Sequence, residues 1–231
     1  MSTLIMIPTH NEEESIGEVV LELLSLELPI LIVASACTDR SIAIAQDLGC
    51  IVIESDIGYE SACMKGYRWA LEHGFDRVVQ MDADGQHPPE YVSVMLQQSH
   101  RGDWIIGSRQ GTGTPSAVHQ RVSSWMLRRV VYSLYDMTLF DPTSGMWVLN
   151  RTVLECLCAK HSFVSMEAIL RVYAKKQGIS IVEIPIPMKE RVSGISMHKG
   201  YRGLLNWFEA TRVLVQYRFF LSNSEKNDYR I

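Results

Sequence analysis

The 231-residue sequence lacks the features that mark membrane-spanning, secreted and multidomain proteins. No stretch reaches about 18 uninterrupted apolar residues, which excludes an ordinary transmembrane helix. The N-terminus has no charged-then-apolar leader, so we expect no signal peptide. Internal repeats, low-complexity tracts and linker-like segments are also missing, and the length suits a single domain over residues 1–231.

The chain has no net positive charge, and its cysteines have no zinc-like spacing. The five cysteines are an odd number without zinc-like spacing, so we predict reduced thiols in a cytoplasmic protein. The formal net charge of −4 predicts no nucleic-acid partner. The charge is uneven, since residues 160–231 carry 12 Lys and Arg against 6 Asp and Glu, whereas residues 1–159 carry 10 against 20. This asymmetry favours a metal site in the acidic part and an anionic partner at the basic end.

Apolar, β-rich segments alternate with segments of helical periodicity. We predict strands at residues 4–7, 30–34, 51–53, 77–81, 104–107, 146–149 and 179–186. Helices are predicted from residues 11–14 onwards and at 39–48, 60–72, 89–98, 119–137, 166–176 and 201–221. This alternation predicts an α/β fold with a mainly parallel central sheet flanked by helices. Ligands of such sheets bind beyond the carboxyl ends of the strands, so the loops at 8–12, 35–39, 82–87 and 107–109 are expected to form one cleft.

The most informative segment places two carboxylates, Asp82 and Asp84, directly after an apolar strand, with Gln86 two residues further on. Two carboxylates at a strand end repel each other and lose hydration, a cost that a hard divalent cation relieves. Carboxylate and amide oxygens are ligands that suit Mg²⁺ or Mn²⁺. The alternative is a strand that ends in an ordinary Asp/Gly turn without a ligand.

Five segments in order resemble one enzyme family: IPTHNE at 7–12, DADGQHPP at 82–89, GSR at 107–109, DPTSG at 141–145, and EIPI at 183–186 followed by Arg191-x-x-Gly194-x-Ser196. Together they are similar to the inverting glycosyltransferases of the GT-A fold, in the dolichyl-phosphate (polyprenyl-phosphate) mannosyltransferase-like group. The resemblance covers about residues 3–199. The segment with His-Pro-Pro is fairly specific to that group, whereas the opening segment is shared by many relatives.

The resemblance implies a role for each matching position. Donor-binding roles would fall to Pro8, His10, Glu12, Ser35, Asp39, Asp82 and Ser196. The metal, Mg²⁺ or Mn²⁺, would be held by Asp82, Asp84 and Gln86. The acceptor phosphate would lie near Arg109, Arg121 and Ser124. Catalytic roles are predicted for Asp84, Arg109, Arg191 and Asp141, with Asp141 as the candidate general base if the acceptor is a hydroxyl group.

The sequence departs from the family pattern after the second predicted strand. The family has an Asp-Asp pair there, and this chain has Ala34 and Ser35, although Asp39 is kept at a later Asp position. The contacts to the base and ribose of the donor are therefore expected to differ, and discrimination between bases should be altered.

The function expected from this resemblance is metal-dependent transfer of a sugar from GDP-mannose or a UDP-sugar to a polyprenyl or dolichyl phosphate. Residues 1–110 would form the nucleotide- and metal-binding half, residues 111–199 the acceptor half, and residues 200–221 a helix that lies on the cytoplasmic face of a membrane or packs on the core. One alternative is transfer to a sugar hydroxyl in surface polysaccharide or glycolipid assembly. Another is a binding or scaffold protein that kept the fold without the activity.

Overall fold

A single sheet of seven strands organises the part of the chain that the computed structural model describes, namely residues 1–112, 118–159 and 167–189 with residues 211, 212, 214, 215 and 218. The strands are β1 (Thr3–Thr9), β2 (Ile30–Ser35), β3 (Ile51–Ser55), β4 (Arg77–Gln80), β5 (Trp104–Ser108), β6 (Trp147–Asn150) and β7 (Ile181–Pro185). Their order in the sheet is β3-β2-β1-β4-β6-β5-β7.

Strand β6 alone runs against its neighbours within this sheet. It pairs antiparallel with both β4 and β5, whereas the remaining pairs are parallel. The predicted mainly parallel sheet is therefore confirmed. Because β6 is reversed, the segment that enters it lies at the same edge as the carboxyl ends of the other strands. The segment Asp141 to Gly145, which precedes β6, is thus brought to the predicted cleft.

Helices cover both faces of the sheet, as expected for parallel strands that are buried on both sides. They are α1 (Ile16–Leu24), α2 (Ser41–Asp47), α3 (Tyr59–Glu72), α4 (Glu90–Gln97), α5 (Val118–Tyr135), α6 (Arg151–Cys158) and α7 (Glu167–Lys176). Alternate side chains of β1 serve the two faces: Ile5 and Ile7 pack in the core under α1 and α4, and Leu4 and Met6 pack under α3 and α6. No helix among the described residues is long and apolar enough to cross a membrane.

Helix α3 lies directly on the sheet because Gly66 faces it. A Cβ atom at Gly66 would overlap the Sδ atom of Met6 and lie 3.0 Å from Cγ2 of Val33. This close approach holds Tyr67 in the core, where it is 1% exposed, and brings the first turn of α3 to the end of β4.

The predicted start of the first helix was wrong. Residues 11–14 form bends and turns, and α1 begins only at Ile16. Asn11 has a left-handed φ of 52°, which interrupts a regular helix. The three consecutive glutamates therefore precede the helix, and two of them contact the next loop of the cleft.

Candidate active site

The two carboxylates of the Asp82–Gln86 segment follow β4 immediately, at the carboxyl edge of the sheet. The side chain of Asp82 remains 33% exposed, and its Oδ1 accepts a hydrogen bond of 3.1 Å from the Tyr59 hydroxyl. Asp84 is 4% exposed, and its Oδ1 accepts the backbone N–H of Gln86 at 3.0 Å. Gly85 has a φ of 75°, so the Asp/Gly turn is real. The turn orients Asp84 and is compatible with ligand binding.

His87 supports Asp82 from the opposite side. The backbone N–H of Asp82 donates to Nδ1 of His87 at 2.9 Å. The proton of the neutral ring must then lie on Nε2, which faces Oδ2 of Asp82 at 3.6 Å. His87 is 7% exposed, which fits the structural role that the adjacent prolines suggest.

Gly145 leaves room for the Asp82 carboxylate. A Cβ atom at that position would lie 2.9 Å from Oδ2 and 3.1 Å from Oδ1 of Asp82. Asp82 is partly exposed, Asp84 is buried, and the Gln86 amide follows two residues later in the sequence. Carboxylate and amide oxygens form a donor set that fits a hard divalent cation. No group of three or more His, Cys, Asp and Glu side chains suited to a metal occurs in the described part of the chain. Ligands beyond the two carboxylates would therefore be the Gln86 amide, water or substrate oxygens.

Arg109 and Asp141 form a bidentate ion pair on the β5 side of the cleft. Nε and Nη2 of Arg109 each lie 2.7 Å from the carboxylate, and the backbone N–H of Arg109 donates to it at 2.9 Å. Nη2 also donates to the Thr143 hydroxyl at 2.7 Å. Burial of Asp141 by itself would raise the pKa of its carboxyl group. The hydrogen bonds and charge of Arg109, aided by the charge of Arg171, outweigh burial and hold that pKa below its ordinary value.

This pairing bears on the predicted role of Asp141. A general base needs a pKa near the working pH and an oxygen that can take a proton. Both oxygens of Asp141 accept hydrogen bonds from Arg109, and the pKa is shifted away from neutrality. The geometry favours a role in orienting Arg109, and the catalytic assignment of Asp141 stays a prediction.

The loop from Asp141 to Gly145 is fixed from below by Arg171, which the sequence analysis missed. Arg171 is fully buried, and its guanidinium donates to the carbonyl of Asp141 at 2.5 Å and to that of Ser144 at 2.8 Å. It also lies over the ring of Trp147, with 5.8 Å from Cζ to the centroid. In the sequence, an Arg in the middle of an amphipathic helix resembles a solvated surface residue, so nothing in the sequence indicates that Arg171 is buried.

Glu183 was likewise recognised only as part of a motif. Its carboxylate accepts the backbone N–H groups of Phe140 and Asp141 at 2.9 and 2.8 Å. The start of the loop is therefore held by Glu183 on β7 and by Arg171 on α7. The loop then contacts Arg109 through Asp141 and Asp82 through Gly145, so it touches both a predicted acceptor residue and a predicted metal ligand.

The loops after β1 and β2 clasp each other through paired hydrogen bonds. The Asp39 carboxylate accepts the N–H of Glu13 at 3.0 Å, and the Glu13 carboxylate accepts the N–H of Arg40 at 3.0 Å. Asp39 also accepts the Ser41 N–H and hydroxyl, at 3.0 and 2.6 Å. Partial burial by itself would raise the pKa of the Asp39 carboxyl group. The hydrogen bonds from Ser41 and Glu13 outweigh this effect and lower that pKa. In this structure Asp39 thus holds the rim of the cleft.

The other predicted donor-binding residues after β1 and β2 differ in exposure. Pro8 is buried within β1, and Glu12 is half-buried, with its N–H donating to the Ser41 hydroxyl at 2.8 Å. His10 is exposed, and its Nδ1 donates to the carbonyl of Ser35 at 2.5 Å. Ser35 is 3% exposed, and its hydroxyl accepts the N–H of Gly58 at 2.9 Å, so its side chain holds a neighbouring loop instead of facing the cleft.

Helix α5 carries the predicted acceptor residues of the second half. Arg121 is exposed and Ser124 is half-buried. The same helix exposes Val122, Trp125 and Tyr132, each by 50% or more, and it contains no Asp or Glu. Arg191 and Ser196 lie outside the described residues.

The predicted C-terminal helix, residues 200–221, is described only in part. Leu214 is fully buried in the core that α5 and α7 form, and its carbonyl accepts the Tyr135 hydroxyl at 2.6 Å. Arg218 donates to the carbonyl of Leu134 at 3.0 Å. These contacts favour the alternative in which the helix packs on the core.

Comparison with known proteins identifies the family. The sequence profile of glycosyl transferase family 2 matches residues 4–158. The polyprenol monophosphomannose synthase of Mycolicibacterium smegmatis is 31% identical over 221 residues, covering 86% of this chain and 81% of the relative. The undecaprenyl-phosphate mannosyltransferase of Micrococcus luteus is 28% identical over 215 residues, covering 87% of this chain and 88% of the relative.

A solved structure confirms the fold. The glucosyl-3-phosphoglycerate synthase of Mycobacterium tuberculosis, in complex with Mn²⁺, UDP-glucose and phosphoglyceric acid, has a TM-score of 0.73 with 17% identity, covering 94% of this chain and 79% of that one. The resemblance expected from the sequence motifs is thus confirmed, and the chain belongs to glycosyl transferase family 2 as a glycosyltransferase of the GT-A fold.

Proposed function

We propose that this protein transfers a sugar, mannose in the first instance, from a nucleoside-diphosphate donor to a polyprenyl phosphate. The names of the two relatives, a polyprenol monophosphomannose synthase and an undecaprenyl-phosphate mannosyltransferase, support this acceptor and sugar. Family membership makes the chain a glycosyltransferase, which sets aside the alternative of a scaffold without activity.

The Arg109–Asp141 pair is the observation that carries the choice of acceptor. A sugar hydroxyl must lose a proton as it attacks, and this requires a base. Asp141, the candidate for that role, is bound to Arg109 through both oxygens and has a lowered pKa. A phosphate acceptor is already anionic near neutral pH and needs positioning by a cation. Arg109, fixed in orientation by Asp141 and still 36% exposed, fits that task.

On the donor side, Asp82, Asp84 and Gln86 would hold Mg²⁺ or Mn²⁺ together with the donor diphosphate. The cation would supply Lewis-acid neutralisation of the departing nucleoside diphosphate. Pro8, His10, Glu12 and Asp39 would form the nucleotide side of the cleft. The acceptor phosphate would approach from Arg109 and Arg121 on the opposite side, in line with the bond that breaks.

Contact with the cytoplasmic face of a membrane is the third element of the proposal. A polyprenyl phosphate presents its headgroup at a bilayer surface, so the protein must reach that surface. Helix α5 supports this, since it exposes apolar and aromatic side chains beside Arg121 and Arg129, and Cζ of Arg129 lies 5.6 Å from the centroid of Trp125. Aromatic rings beside arginines suit the headgroup zone of an anionic bilayer.

The test is a transfer assay with purified protein and Mg²⁺ or Mn²⁺. GDP-mannose, UDP-glucose and UDP-N-acetylglucosamine are each offered with polyprenyl phosphate in vesicles, with polyprenol in place of its phosphate as the control. We expect a glycosyl-phospholipid from at least GDP-mannose and no product with polyprenol. Transfer to a free sugar hydroxyl without transfer to polyprenyl phosphate would contradict the proposed acceptor. It would also mean that the reaction requires a general base.

A further inference from the structure

A chain of hydrogen bonds links the buried interior of the sheet to the partly exposed Asp82. Gln80, the last residue of β4, is fully buried, and its side-chain amide lies between Tyr67, Tyr59 and the carbonyl of Gly145. Nε2 lies 3.1 Å from the Tyr59 hydroxyl and 3.3 Å from the Gly145 carbonyl. The Tyr59 hydroxyl in turn lies 3.1 Å from Oδ1 of Asp82.

The direction of these hydrogen bonds is determined by one group. The Gly145 carbonyl can only accept, so the amide atom that faces it must be the NH₂ group of Gln80. The second N–H of that group then points at the Tyr59 oxygen, while Oε1 accepts the hydroxyl of Tyr67. Because the Tyr59 oxygen accepts from Gln80, its own proton is directed at Asp82.

We infer that Tyr59 and Gln80 are positioning residues for the donor side of the active site. The Tyr59 hydroxyl donates a hydrogen bond to Oδ1 of Asp82, and its contact with Gln80 fixes it in the role of donor. The His87 ring faces Oδ2 of the same carboxylate. Gln80 holds Gly145, the residue whose missing side chain makes room for the same carboxylate. The pair therefore fixes the carboxylate and the backbone beside it as one unit. Partners of this kind around a ligating carboxylate commonly affect metal affinity 10- to 100-fold.

This inference rests on the proposed metal role of Asp82, so its test has an arm that needs no metal. Tyr59→Phe removes the one oxygen that joins Gln80 to Asp82 and keeps the ring. Tyr67→Phe is the matched control, because it removes a hydroxyl from the same helix that contacts Gln80 but not Asp82. In metal-free crystal structures we expect the Asp82 carboxylate to turn from its position in Tyr59→Phe and to keep it in Tyr67→Phe. An Asp82 that stays in place in Tyr59→Phe would overturn the inference.

The second arm measures Mn²⁺ binding to the full chain in the presence of GDP or UDP, by electron paramagnetic resonance. We expect binding at least about 10-fold weaker in Tyr59→Phe and Mn²⁺ affinity within about twofold of the parent in Tyr67→Phe. Both variants should lower the thermal midpoint of the metal-free protein, because the buried Gln80 amide loses an acceptor in Tyr59→Phe and a donor in Tyr67→Phe. The Mn²⁺ affinity, and not the midpoint, therefore separates the two. Equal Mn²⁺ affinity in parent and Tyr59→Phe would refute the positioning role. A parent that binds no Mn²⁺ would refute the proposed metal site, and the crystallographic arm would still decide the role of Tyr59.

Discussion

Replacing Asp141 with Asn tests how the acceptor side of the site is held together. The substitution keeps the shape of the side chain and one oxygen, but it removes the charge that pairs with Arg109. Breaking a fully buried ion pair costs about 3–5 kcal/mol, whereas an exposed pair contributes about 1 kcal/mol or less. Asp141 is buried and Arg109 is 36% exposed, so water can partly resolvate the guanidinium. We therefore expect a loss of about 2 kcal/mol in the free energy of unfolding, or about 4–8 °C in the thermal midpoint of a protein of this size.

The pH dependence of this loss gives a second, independent signature. The pKa of Asp141 is lowered in the folded protein, so the pair stabilises the fold fully above the unfolded pKa of about 3.9. That stabilisation declines as the pH falls through the folded pKa. The difference between parent and Asp141→Asn should be constant between pH 7 and pH 5 and should shrink below about pH 4.

Urea denaturation at pH 7, 5 and 3.5 measures both effects. Asp47→Asn is a suitable control, because Asp47 is exposed at the end of α2 and should change stability by less than about 0.5 kcal/mol. Equal stability of Asp141→Asn and parent at pH 7 would refute the reasoning.

In the transfer assay, the Asp141→Asn variant should chiefly raise the KM for polyprenyl phosphate, because Arg109 loses its fixed orientation. A kcat lowered by about 10²–10⁴ at unchanged KM would indicate that Asp141 is a base after all.

Three further changes probe other parts of the site. Arg171→Met should lower the thermal midpoint by about 4–24 °C in calorimetry, since two buried carbonyls lose their donor at about 1–3 kcal/mol each. Asp84→Ala should abolish Mn²⁺-dependent binding of GDP or UDP in calorimetric titration at little cost in stability, and equal binding would contradict the metal assignment. Trp125→Ser should reduce co-sedimentation with anionic vesicles at low salt without shifting the thermal midpoint, because the side chain is 53% exposed. Unchanged vesicle binding would exclude α5 from the membrane contact.

The sequence predicted the fold well because the relevant signals are local. Apolar runs that end in polar loops gave all seven strands within about two residues at each end, and the paired carboxylates after β4 marked the edge where ligands bind. The start of α1 was wrong because three glutamates in a row suit a first helical turn. In the folded protein, Glu12 and Glu13 instead hydrogen-bond with the loop after β2, and the left-handed Asn11 makes that path possible.

The supports of the site were harder to predict, since each depends on contacts distant in sequence. Arg171, Gln80 and Tyr59 occur in ordinary helix or strand patterns, and only packing shows that they point at the site. Ser35 shows that a position of the family motif can also hold a neighbouring loop, and its donor-binding role stays a prediction. It matches a donor-contacting position of the family, but its hydroxyl turns to Gly58. A Ser35→Asp variant would place a carboxylate in a buried position, so altered nucleotide preference in that variant would report loop disruption as much as direct contact.

The reversed direction of strand β6 places the loop from Asp141 to Gly145 at the candidate site. A seventh parallel strand would have entered the sheet from the opposite edge and carried its preceding loop away from the cleft. The antiparallel strand instead delivers one short loop to both sides of the site: Asp141 orients Arg109, and Gly145 makes room for Asp82. Arg171 and Gln80 hold the backbone of that loop at its two ends from within the core. The same short segment therefore contacts both the proposed metal side of the site, at Asp82, and the proposed acceptor side, at Arg109.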